Sequence, residues 1–187
     1  MLSPFTVVTD KDVGFVANSS LAGGRLSSAL ADTPAAYSVI TREFIDALNL
    51  TDLNQAIEWT VNTNVNNDNG ANLTFAANVT YTTRGVGAST PQRNFFPFYV
   101  NFDSYNLERY DFSRGPNSIL FGNGNLAGSA NVVTKQARFD RPKRELRASY
   151  GSWNTRRVSV DVNQPLNRSF AVRANAVWQD GRGWRDR

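Results

Sequence analysis

The stretch from Asn106 to Lys135 constrains the fold more than any other. Glu108, Tyr110 and Phe112 alternate with Arg109, Asp111 and Ser113, the period-2 signature of a strand with two dissimilar faces. Arg114, Gly115 and Pro116 stop that strand: Gly115 can take a positive φ, and Pro116 suits the first position of a helix. Ser118, Ile119, Leu120 and Phe121 fit one apolar helical turn. Gly122, Gly124 and Gly128 then let the backbone double back before a buried-type strand over Ala130–Thr134.

Composition narrows the function classes. The 187 residues have room for one ordinary domain, or for one small domain and part of another. Cysteine and histidine are both absent, which removes disulfides, thiol catalysis, Cys/His zinc sites and any Ser-His-Asp triad. The carboxylates Glu108 and Asp111 have opposite parity on one strand and cannot form an acid/base pair. The glycines of 122–128 follow a helical turn and precede a strand, the reverse of a dinucleotide-binding loop. No residue set supports an enzyme, and no cofactor or metal is expected. The net charge of +4 gathers mostly after position 138, around strand ends rather than along a helix face, so no nucleic-acid partner is expected. No run of eighteen apolar residues exists to make a transmembrane helix, but barrel strands alternate and need no such run.

Read in order, residues 1–24 are polar and Gly/Ser-rich, with an extended, β-prone segment at Leu2, Ser3, Pro4, Phe5, Thr6, Val7 and Val8. Met1 begins no positive n-region and no apolar core, so a trimmed or truncated N-terminus is expected. Ala35–Ile40 reads as a strand. Thr41 suits the N-cap of a helix over Arg42–Leu48, and Thr51 that of a second over Asp52–Trp59. Leu53, Ala56, Ile57 and Thr60 share one face of the second helix. An Asn-rich region follows, with a turn at Asn66–Gly70, and then a strand over Val79–Gly85. Residues 86–105 are an aromatic, loop-rich excursion.

Beyond Lys135 a charged linker, Arg138–Lys143, leads into three alternating segments: Glu145–Tyr150, Arg156–Val162 and Ser169–Gln179. In the last, Phe170, Val172, Ala174, Ala176 and Trp178 fall on one face, and Arg173, Asn175 and Gln179 on the other. Its length matches the roughly 9–11 residues of a tilted membrane strand. Turns are expected at 151–155 and 163–168. Tyr150, Trp153, Trp178 and Trp184 lie near strand ends, as in an aromatic girdle.

Arg114-Gly115-Pro116, Leu120-Phe121-Gly122, the turn Asn123–Gly128 and the strand Asn131–Lys135 together resemble the end of the plug domain of TonB-dependent outer-membrane receptors. Ser38–Asp46 and Arg84-Gly85 resemble earlier parts of that domain, although Thr83 stands where the family usually has Ile or Phe. Tyr99–Asp103 departs from the family's Leu-Ile-Asp-Gly-like strand end.

The resemblance implies an α+β plug, a small mixed β-sheet with short helices, over 25–137. A flexible segment precedes it at 1–24, and the first three antiparallel strands of an incomplete transmembrane β-barrel follow at 138–187. It implies that Leu2–Val8 is a TonB box pairing by β-augmentation with a TonB-type periplasmic energy-coupling protein. Arg84, Gly85, Arg114, Gly115 and Pro116 would lock the plug to glutamates on later barrel strands. Gln92, Arg93, Asp103 and Tyr105 would sit at plug apices facing a small-molecule or oligomeric nutrient ligand. The implied function is active uptake of a bulky scarce nutrient (siderophore, cobalamin, saccharide or peptide) across the bacterial outer membrane. Outer-membrane lipid would surround the strands, with the plug and N-terminus facing the periplasm. The alternative is a soluble, free-standing plug-like binding module with a β appendage.

Overall fold

The computed structural model describes residues 14–17, 19–20, 28–29, 36–65, 81–87, 91–98, 100, 102–115 and 127–183. Leu2–Val8, the turn Asn66–Gly70, Pro116, the helical turn Ser118–Phe121, Gly122, Gly124 and Trp184 lie outside the described residues. The chain divides into two compact units, Met1–Thr134 and Lys135–Arg187.

In the first unit, β1 (Ser19–Ser20) and β2 (Ser28–Ala29) form a short antiparallel pair. There follow β3 (Ala36–Ile40), α1 (Arg42–Ala47) and α2 (Leu53–Glu58). A small antiparallel sheet comprises β4 (Thr63–Val65), β5 (Tyr81–Thr83) and β6 (Val86–Gly87). The remaining strands are β7 (Gln92–Arg93), β8 (Phe96–Pro97), β9 (Leu107–Arg114) and β10 (Gly128–Thr134). The main sheet has the order β3-β9-β10-β7-β8. It is antiparallel except between β10 and β7, where Asn131 pairs with Gln92 in parallel. The expected small mixed sheet with short helices is therefore present.

Local chemistry starts each helix. The Thr41 hydroxyl accepts from Phe44 N at 3.3 Å and caps α1, and Glu43 lies in the first turn where the helix dipole favours a negative charge. The cap of α2 is Asp52, not Thr51: its carboxylate accepts from Gln55 N at 3.0 Å. Thr51 instead donates its backbone N–H to the Gln55 side chain at 2.7 Å, a capping box displaced by one residue. Ile45, Leu53, Ala56 and Ile57 of the helices pack against Ile40, Tyr110, Phe112, Ala130 and Val132 of the sheet. Removing such side chains from water is the main stabilising term, about 1.5–3 kcal/mol for each large one.

The second unit is an antiparallel meander of β11 (Lys143–Gly151), β12 (Thr155–Pro165) and β13 (Ala171–Asp180). Strand β12 continues through Asn163 and Pro165, so the second turn begins only at Leu166, later than expected. Register lines up Leu146, Val160 and Ala176, and beside them Ala148, Val158 and Trp178. Glu145, Asp161 and Asn175 form a row of the opposite face, as do Lys143, Asn163 and Arg173. Leu146, Tyr150, Val160, Val172 and Trp178 of the apolar face are exposed. Asp161 and Asn163 of the polar face are buried. A sheet with hydrocarbon outside and ionic groups inside inverts the pattern of a soluble protein and matches a barrel wall.

Candidate functional site

Two arginines, thirty residues apart in sequence, meet in the first unit. Strands β5 and β6 are joined by a two-residue turn, with Arg84 at φ 54° and Gly85 at φ 77°. Both central residues of such a primed turn need positive φ, which glycine adopts freely and arginine only at a cost of about 1 kcal/mol. The Arg84 backbone N–H donates to Asn62 O at 2.8 Å, holding the turn in place. At the end of β9, Gly115 turns the chain at φ 98°, and a Cβ there would lie 3.5 Å from Arg84 Nη1. The Arg114 guanidinium donates to Val61 O at 3.0 Å and Tyr37 O at 3.1 Å. Burial, and then the neighbouring Arg84 charge, hold its pKa below the usual arginine value. Among the described residues no carboxylate pairs with either arginine. The Arg84 charge acts on the Arg114 guanidinium as a like charge, and a carboxylate is the anion whose geometry suits an arginine fork.

The four residues expected at ligand-facing apices separate into two groups. Gln92 is fully buried, because β7 adds to β10 and turns its side chain into the sheet. That placement gives Gln92 no surface for an external ligand. Arg93, Asp103 and Tyr105 do come together. The Arg93 guanidinium lies 5.5 Å from the centre of the Phe98 ring, which stacks on Phe102 at 4.7 Å. With the Asn106 amide turned to suit its neighbours, its oxygen accepts from Arg93 Nη2 at 3.0 Å and its nitrogen donates to Asp103 O at 3.3 Å. Asp103 caps the 3-10 turn Ser104–Asn106, accepting from Tyr105 N at 3.0 Å. Arg93 and Tyr105 remain half-buried.

A third locus, in the second unit, was not anticipated from sequence. Arg173 donates to both carboxylate oxygens of Asp161, at 2.9 and 2.8 Å, and Lys135 Nζ lies 2.9 Å from Asp161 Oδ2. Arg173 also donates to Gln136 O at 2.9 Å. The Asn163 amide donates to Arg138 O and Arg141 O, and its oxygen accepts from Arg138 N at 2.8 Å. Residues 135–141 are thereby stitched to the polar face of β12 and β13. The available signal was charge at matching parity on neighbouring strands, which becomes useful only once register is known.

The profile of the TonB-dependent receptor plug domain matches residues 29–129. The metal-pseudopaline receptor CntO of Pseudomonas aeruginosa is 34% identical over 92% of this chain and 25% of its own length. The ferric-pyoverdine M114 receptor PbuA of a Pseudomonas species is 30% identical over 82% of this chain and 19% of its own length. The chain thus spans about a quarter or less of these curated relatives. Among solved structures, the pyoverdine outer membrane receptor FpvA of Pseudomonas aeruginosa superposes with a TM-score of 0.79 at 22% identity, over 94% of this chain and 26% of that one. BauA, the ferric preacinetobactin receptor of Acinetobacter baumannii, superposes with a TM-score of 0.74 at 29% identity, over 90% of this chain and 26% of that one.

Proposed function

The chain belongs to the TonB-dependent outer-membrane receptors, and on that premise we propose that it is the plug-bearing, N-terminal portion of a transporter that takes up a siderophore-type metal chelate. The observation that carries this reading is the meander following the plug, on which Leu146, Tyr150, Val172 and Trp178 of the apolar face are exposed while Arg157, Asp161 and Asn163 of the polar face are buried. A soluble appendage would have the opposite polarity.

In this reading Leu2–Val8 recruits a TonB-type energy-coupling protein by strand addition, for which main-chain hydrogen bonds suffice. Arg84 and Arg114, with the turns at Gly85 and Gly115 and with Pro116 next in sequence, hold the plug to carboxylates on barrel strands that this chain does not contain. Arg93 and Tyr105 are the polar groups nearest the ligand, with Asp103 setting the backbone of Tyr105. Chelates recognised by the named relatives supply the substrate class, and a cationic, aromatic surface such as Arg93 with Phe98 suits an anionic chelate.

The test is uptake of radioactive iron by cells whose own ferric-chelate receptors are deleted and which express the full-length receptor. Uptake of at least one ferric chelate is expected, and it should stop when the energy-coupling protein is deleted. A full-length protein that stays in solution without detergent, or uptake indifferent to coupling, refutes the proposal.

A further inference from the structure

The chain changes hydrogen-bond partners across one peptide bond. Thr134, the last residue of β10, is tied back into the first unit: its N–H donates to Asn94 Oδ1 at 3.0 Å, and the Asn94 amide donates to its hydroxyl at 2.8 Å. Lys135, the next residue, instead donates to Asp161 Oδ2 at 2.9 Å. Gln136 O accepts from Arg173 at 2.9 Å, and Arg138 N donates to Asn163 Oδ1 at 2.8 Å. The Asn163 amide donates to Arg138 O at 3.0 Å and to Arg141 O at 2.9 Å. The register of β10 on β9 also breaks between Val133 and Thr134.

Asp161 is the centre of the second set. Its carboxylate receives the Arg173 fork on both oxygens, Lys135 at one end of the connecting segment and, at 3.8 Å, Lys143 at the other. The side chains of Asp161, Lys135 and Arg173 are only 5–6% exposed. Removing the carboxylate charge leaves buried cations facing one another, which costs far more than losing an exposed pair. The bonds named for residues 136–141 end on β12 and β13, so β10 can leave its neighbours without breaking them. Cooperative opening follows shared contacts, and these contacts divide at Lys135.

We infer that residues 135–141 are a static strap on the β12–β13 wall, placed by Asp161, and that movement of the plug stops between Thr134 and Lys135. The strap keeps strain in the plug from reaching β11, which begins at Lys143, directly after Arg141 and Pro142. Asp161 is thereby a positioning residue for the point at which the plug is tethered. The inference rests on the receptor reading above for the plug's movement, and on the bonds for the border itself.

Two substitutions in the full-length receptor load this border from either side, with hydrogen exchange measured at Ser129–Val132 and at Arg138. Gly128→Ala disturbs the plug side, because a Cβ there would penetrate the Ser113 carbonyl oxygen. It is expected to speed exchange at Ser129–Val132 about tenfold or more and to change Arg138 by less than about twofold. Asp161→Asn keeps the shape of the side chain and removes its charge. It is expected to speed Arg138 about tenfold or more and to leave Ser129–Val132 within about twofold, whereas a general loss of stability speeds both. Arg138 following Ser129–Val132 in Gly128→Ala overturns the border, as does faster exchange on both sides in Asp161→Asn. An unmoved Arg138 in Asp161→Asn overturns the role of Asp161. If Asp161→Asn does not assemble, Arg173→Lys takes its place, keeping the positive charge but unable to span Asp161 and Gln136 O together, and the same rates decide. Uptake of a ferric chelate by a receptor whose Arg138 follows β10 keeps the transport reading and sinks the strap. Exchange that divides at Lys135 in a receptor taking up no ferric chelate does the reverse.

Discussion

Gly128 begins β10 opposite Arg114, at φ 126°, where an L side chain is strained. A Cβ built there would penetrate the Ser113 carbonyl oxygen and lie 3.0 Å from Arg114 Cα. Both obstacles are backbone, so the strands themselves must move apart. Gly128→Ala should therefore combine a strained φ, about 1–2 kcal/mol, with two disrupted backbone hydrogen bonds at that end of the ladder, about 1 kcal/mol each. One of the two is Gly115 N to Ala127 O at 3.0 Å. The expected total is about 3–4 kcal/mol. Gly85→Ala supplies the control, because Gly85 has φ 77° but nothing within 4 Å of its Cβ position. Strain alone should cost it about 1 kcal/mol. The difference of about 2–3 kcal/mol corresponds to a roughly 30- to 150-fold change in the opening equilibrium. Native-state hydrogen exchange of the Ser129–Val132 amides in the full-length receptor measures it. If the two substitutions accelerate exchange equally, the close approach of β9 to Gly128 is not what demands glycine there.

Three further outcomes follow from the geometry. Val160→Arg, in the middle of the apolar face, should cost about 2–4 kcal/mol of membrane assembly, while Ser159→Arg on the polar face is tolerated; heat-modifiability on gels separates the two, and tolerance of both would contradict the lipid-facing assignment. Asp52→Ala should destabilise the plug by about 1 kcal/mol through loss of the α2 cap, with Asp52→Asn close to neutral, as read by urea titration. Arg84→Gly relieves a positive-φ residue and should slow local exchange if Arg84 serves only the turn. Faster plug exchange in the assembled receptor is the result expected if Arg84 instead anchors the plug to the barrel.

Much of the secondary structure was legible because its causes are short-range. The Thr41 cap acts over three residues, and the alternation along β9 and β13 acts over two. The exchange of Asp52 for Thr51 as the second cap shows the limit of that range. Both are good capping residues, and only the backbone, with Asp52 extended at φ −146°, selects between them.

Gln92 shows a different limit. It lies in an aromatic, loop-rich stretch that places it at an exposed apex, yet parallel pairing with Asn131 of β10 buries it. The same holds for the meeting of Arg84 with Gly115 and for the Asp161 cluster with Lys135 and Arg173. The amino-acid order alone determined the strands β9 and β10, the start of α1 and the two-sided strands after residue 143, since each depends on steric and hydrogen-bonding preferences of adjacent residues. Which distant charges meet, and which polar groups are sealed away from water, was decided only by sheet order and register. A one-residue shift or a different neighbouring strand would send the same side chains to another face.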